Sequence, residues 1–85
     1  MELEFTRAST KTLRKLQPKV RAAMIGRLKA IATDPFAKHA NVDAFVGEKD
    51  AFRLRQGDWR ALYKVDREAG VMRVLRIEPR GEVYR

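Results

Sequence analysis

The stretch AFRLRQGDWRALYKV, from Ala51 to Val65, reads as a β-hairpin, and the fold can be worked out from it. Phe52 and Leu54 alternate with Arg53 and Arg55, a period of two that puts apolar side chains on one face and guanidiniums on the other. Gln56-Gly57-Asp58 is the expected turn, since glycine accepts positive φ and aspartate can bond its own backbone. The return strand sets Trp59, Ala61, Tyr63 and Val65 against Arg60, Leu62 and Lys64. A hairpin of this size is not stable alone in water and needs a covering layer. Its arginine-bearing face cannot be the buried one, because unpaired buried charge is costly. One face therefore packs, and the other is left to meet an anion.

The 85 residues suffice for one domain, 1–85, with a modest core. Cysteine is absent, so there is no disulfide framework and no set of zinc-binding thiolates. No apolar run approaches membrane-spanning length, and Glu2 and Glu4 stand where a secretory signal would be basic. A cytoplasmic protein with no membrane partner is expected. Lys and Arg number 19 against 11 Asp and Glu, a net charge of +8. On so small a body that field concentrates polyanions, which points to nucleic acid or an acidic protein.

Upstream of the hairpin, Leu3 and Phe5 alternate with Glu2 and Glu4, the pattern of a short strand over residues 1–5. Thr6 is placed to cap a helix from Arg7 to Leu16, with Ala8, Thr12 or Leu13, and Leu16 on one face. Gln17-Pro18 breaks that helix, and Pro18 suits the first position of a second one running to Thr33. Val20, Met24, Leu28 and Ile31 form its apolar stripe, widened by Ile25 and Ala32. Two helices so closely joined predict an antiparallel αα-hairpin. Residues 34–50 lack periodicity and read as a loop with a short helical turn, anchored by Phe36, Val42, Phe45 or Val46. His39 lies there as an ordinary loop residue. After the hairpin, residues 66–70 form a turn and Val71–Ile77 a strand. Met72 and Val74 fall on one face of it and Leu75 and Ile77 on the other, as in a central strand covered on both sides. Pro79 ends the pairing.

The helices carry a further signal. Between Phe5 and Thr33 there are eight cations, Lys11, Arg14, Lys15 and Arg21 among them, and no acidic residue. A solvated polar face accounts for any one of them. For the set it accounts less well, because exposed helices usually mix signs to gain opposite-charge pairs. A partner that supplies the negative charge is expected.

No metal constellation is visible, nor any serine or cysteine triad, nor a glycine-rich phosphate loop. What remains is a set of strand arginines with Trp59, Tyr63 and Tyr84. Guanidiniums match phosphate bidentately, and aromatic rings stack on bases. The reaction such a set suits is phosphoryl transfer within RNA, with the 2′-hydroxyl attacking the adjacent phosphate and arginines stabilising the anionic transition state. Arginine stays protonated and is a poor base, so orientation and charge stabilisation would carry the chemistry. Trp59 and Tyr63 lie on the apolar face and are read as core.

The strings FRLRQGDWRALYKVD and VLRIEPRGEVYR, with the order of elements over essentially the whole chain, closely resemble the RelE/ParE superfamily of bacterial toxins, on its RelE side. The resemblance implies an α+β fold, with an N-terminal strand and αα-hairpin packed on a small, mainly antiparallel β-sheet. It implies a type II toxin–antitoxin toxin that cleaves mRNA in the ribosomal A site, with no cofactor or metal. By position, Arg60 would hold the scissile phosphate, joined by the tail residues Arg80 and Tyr84. Arg53, Arg55 and Lys49 would bind RNA. Pro79 stands where many relatives have histidine, and Ala51 where some have lysine.

The partners so implied are the ribosome, mRNA and a cognate antitoxin, with operator DNA reached only through the antitoxin. The antitoxin would offer an acidic amphipathic segment to Lys11, Arg14, Lys15 and Arg21. Two other readings stay open. One is a non-enzymatic, ParE-like inhibitor of DNA gyrase, which would not need the arginine–tyrosine set. The other is a catalytically inactive homologue that binds antitoxin.

Overall fold

The computed structural model describes residues 1–80. Strand β1 (Glu2–Phe5) leads into helices α1 (Arg7–Lys15) and α2 (Pro18–Ala32). Strands β2 (Val42–Ala44), β3 (Ala51–Gln56), β4 (Trp59–Asp66) and β5 (Val71–Pro79) follow. The strand order is β1-β5-β4-β3-β2. β1 runs parallel to β5 and every other neighbouring pair is antiparallel. The architecture is thus α+β with a mainly antiparallel sheet, as expected.

The core lies between the helices and one face of the sheet. Leu13 and Leu16, with Met24, Leu28 and Ile31 of α2, meet Leu54, Ala61, Tyr63, Val65, Met72, Val74 and Ile77. Trp59 packs at the margin of this cluster, and Tyr63 is fully buried, stacked on Phe52 at a centroid distance of 5.5 Å. Both aromatics therefore serve the core.

Local chemistry sets the helix limits. Thr6 caps α1, its Oγ1 accepting from the Ser9 amide at 3.2 Å. Pro18 opens α2, where a missing N–H costs nothing. The apolar face of α1 differs from expectation, because Ser9 is buried while Ala8 is exposed and Thr12 only half-buried. Ser9 belongs inside because its Oγ donates to the Val74 carbonyl, 2.9 Å away. Thr6 Oγ1 likewise donates to the Leu75 carbonyl at 2.8 Å, so the cap of α1 is tied to the middle of β5.

Three details of the sheet depart from the sequence reading. Residues 34–50 hold no helix; they contribute β2, which pairs with β3 from Val42↔Leu54 to Ala44↔Phe52. Of the four proposed anchors, Phe36 meets Phe52 edge-on at 6.1 Å and Val42 packs on the core, whereas Val46 is 93% exposed. The hairpin turn is shorter than expected, with Gln56 paired to Trp59 and only Gly57 and Asp58 between them. Gly57 has φ +59° at the first turn position, where a two-residue hairpin of this kind needs glycine.

The third departure concerns β5. Tyr63 pairs with Val74 but Leu62 pairs with Arg76, so Leu75 is the extra residue of a β-bulge. The bulge resets the alternation. Met72, Val74 and Ile77 all reach the core, and Arg73 and Arg76 stay less buried. The helices cover one face of the sheet; the expectation that apolar residues of β5 point to both faces fails because it assumes an unbroken period of two.

Candidate functional site

The helix-free face carries the arginines of the hairpin. Leu54 and Ala61, paired across β3 and β4, are buried against the helices, so their neighbours Arg53, Arg55, Arg60 and Leu62 project the other way. Arg55 stands opposite Arg60, and Arg60 stands opposite Glu78 of β5. One row along, Arg53, Leu62 and Arg76 align across β3, β4 and β5. Asp43 of the edge strand β2 lies beside Arg53.

Near the hairpin turn this face is concave. Arg55, Arg60 and Arg80 line a depression of about 370 Å³ together with Asn41 and Gly57. Backbone bonds hold its walls. The Arg55 amide donates to the Asn41 carbonyl at 2.9 Å, and the Arg80 amide donates to the Asp58 carbonyl at 2.7 Å. Asn41 takes a left-handed φ of 61°, which asparagine tolerates better than most residues. Three guanidiniums around one depression can bond the oxygens of an anion such as a phosphate. Asn41 escaped the sequence reading, and Gly57 was read only as a turn residue. The Asn41-Val42-Asp43-Ala44 alternation was the available signal, and three strand residues are too few for a period to stand out.

The structure therefore brings Arg60, Arg55 and Arg80 together. Arg53 is two residues from Arg55 on the same face, its Nε buried with no hydrogen-bond partner among the described residues. Lys49 lies apart, at the far end of the hairpin, in a mixed-charge depression that also includes Asp50, Lys64, Asp66, Arg67 and Arg73. Tyr84 falls outside the described residues. Among the described residues no group of three or more His, Cys, Asp or Glu side chains is placed to share a metal ion. His39 Nε2 lies 2.7 Å from the Asp34 carbonyl, within its own loop.

The helix cations divide by environment. Lys11 and Arg14 line a depression of about 540 Å³ with Arg7, Thr10 and Phe5, beside the edge strand β1. Their spacing of three and four residues puts Arg7, Lys11 and Arg14 on one stripe. Lys15 is exposed just beyond. Arg21 is half-buried, and its Nη2 donates to the Leu16 carbonyl at 3.0 Å. It thereby satisfies an end carbonyl of α1 and braces the connection between the helices. No helix among the described residues is long and apolar enough to cross a membrane.

Comparison with known proteins agrees with this architecture. The family model described as ParE toxin of type II toxin-antitoxin system, parDE, matches residues 3–84. No curated protein matches the chain. Among solved structures, the isolated E. coli RelE toxin is 28% identical with a TM-score of 0.81, over 98% of this chain and 89% of that one. A chain of the toxin–antitoxin complex RelBE2 from Mycobacterium tuberculosis is 26% identical with a TM-score of 0.76, over 93% of this chain and 96% of that one. The archaeal RelE–RelB complex from Pyrococcus horikoshii shares the fold, at 23% identity and a TM-score of 0.82, over 95% of this chain and 96% of that one.

Proposed function

This chain belongs to the ParE toxin family of type II toxin–antitoxin systems, and we propose that within it the protein is a ribosome-dependent mRNA endonuclease that stops translation in the cytoplasm. The observation that carries the reading is the single depression lined by Arg55, Arg60 and Arg80. The similarity to E. coli RelE supports it.

In the proposed reaction the ribose O2′ attacks the adjacent phosphorus and the P–O5′ bond breaks. The products are a 2′,3′-cyclic phosphate and a 5′-hydroxyl end. One proton leaves O2′ and one reaches O5′. Arg60 holds the non-bridging oxygens, and Arg55 and Arg80 share the charge that grows on them. The arginines cannot act as bases, so the chain's work is to fix the in-line geometry and balance charge. Tyr84 is the group proposed to stack on a base or assist proton transfer. The residues named need no metal for these roles.

The antitoxin is the second proposed partner, since several similar structures are toxin–antitoxin complexes. Inhibition of DNA gyrase is the competing activity, favoured by the ParE description of the matching family. Pulse labelling after induction separates the two. Early loss of methionine incorporation supports mRNA cleavage, and early loss of thymidine incorporation supports gyrase inhibition.

A further inference from the structure

Leu62 is an aliphatic side chain set among cations. It is half-buried on the helix-free face, with Arg53 opposite it on β3 and Arg76 opposite it on β5. The bulge at Leu75 creates this arrangement. With an unbroken register Leu62 would face Leu75, and Arg76 would turn toward the helices. Instead the extra residue brings a guanidinium to each side of an apolar floor. Arg76 pairs with Glu78 at 3.3 Å, but its side chain keeps 63% of its exposure. Such an exposed pair is weak, and another anion or a base edge can replace it.

Resting on the endonuclease reading, we propose that Leu62, Arg53 and Arg76 form a base-binding subsite next to the three-arginine depression. Its occupant is the single-stranded RNA nucleotide adjoining the scissile phosphate. The row Arg53–Leu62–Arg76 lies two residues from the row Arg55–Arg60, roughly 6.6 Å along the strand. That step is comparable to one nucleotide of an extended single strand. The flat face of the base covers Leu62, which removes apolar surface from water on both sides. The guanidiniums flank it, stacking on the ring or bonding its edge, as arginine does with unpaired bases. Leu62 offers no hydrogen bond, so the subsite discriminates by ring area and favours purines over pyrimidines.

The test uses the full chain and short single-stranded RNAs carrying a 2′-O-methyl group at the scissile ribose, so that binding is read without cleavage. Fluorescence anisotropy at low salt is measured for an intact oligonucleotide and for a series with one base removed at a time. Wild type should lose roughly fivefold in affinity when the base next to the scissile phosphate is removed, the scale set by a few tens of Å² of apolar contact. In Leu62→Ala the same removal should cost nothing, and Leu62→Met should restore the loss. Arg76→Ala, at an exposed position, should halve the effect or more and serves if Leu62→Ala is poorly folded. Equal losses in wild type and both alanine variants, or no RNA binding by wild type, would overturn the subsite. Base coupling without cleavage of message on ribosomes would leave the subsite standing and remove the endonuclease reading; cleavage without coupling would do the reverse.

Discussion

Arg55 and Arg60 stand directly opposite each other across the β3–β4 ladder, on the face that the helices leave open. Like charges at that separation work against sheet pairing. An anionic ligand between the two would turn that repulsion into shared attraction.

The tie between α1 and β5 contributes to stability. Ser9 is fully buried, and its hydroxyl donates to the Val74 carbonyl at 2.9 Å. Ser9→Ala removes one of two donors to that carbonyl, the Thr6 amide at 3.1 Å being the other, and should cost about 0.5–1.5 kcal/mol. The expected result is a lower urea midpoint with an unchanged slope. An unaltered midpoint would show that the tie contributes nothing.

Tyr63 gives a pH signature. Burial pushes its phenol up to about 12, against an opposing pull from the Arg27 charge, and the hydroxyl finds no hydrogen-bond partner among the described residues. The unfolded phenol titrates near 10. Between these values the unfolded chain gives up a proton that the folded chain keeps, so stability is full below about pH 10 and falls as pH rises toward 12. The loss should be on the order of 2 kcal/mol. Tyr63→Phe should remove that part of the slope and be neutral or slightly stabilising at pH 7, which urea melts at about pH 8 and about pH 11 would register.

The apolar half of the hairpin, the capping threonine and the proline-led second helix were legible because each follows from one local rule. The Arg60–Arg80 grouping was legible only through the resemblance, since nothing local says that a residue after β5 returns to the hairpin turn. The bulge at Leu75 was hidden. VMRVLRI gives no local mark of an extra residue, and the bulge shows itself only when Ile77 must be buried together with Val74. Ser9 was left off the buried face of α1 because its partner is a carbonyl 65 positions away in sequence. Arg21 counted as a surface cation because a charge pattern does not show that its acceptor is the Leu16 carbonyl, five residues back at the end of α1.

Reversing Lys11, Arg14 and Lys15 to Glu tests the positive helix stripe. The triple variant should associate more slowly with the neighbouring antitoxin and sediment less with ribosomes. Both effects should be larger at about 0.05 M salt than at about 0.5 M, because screening shortens the reach of exposed charge. Stopped-flow association and co-sedimentation across a salt series are the measurements. Unchanged values in both would make the stripe an ordinary solvated face.

Tyr84 separates stacking from proton transfer. Tyr84→Phe keeps the ring and should retain most cleavage if stacking is its role, but lose about 100-fold or more if the hydroxyl moves a proton. Tyr84→Ala should be damaging in either case. Single-turnover cleavage on programmed ribosomes distinguishes the outcomes, and wild-type rates from Tyr84→Ala would remove the residue from the site.

The most direct measurement is primer extension on a defined message held in purified ribosomes, with wild-type protein and Arg60→Ala compared at equal melting temperature. The account predicts a new 5′ end within the A-site codon for wild type, none without ribosomes, and none with Arg60→Ala. An intact message with wild-type protein, or an unchanged cut with Arg60→Ala, would contradict it.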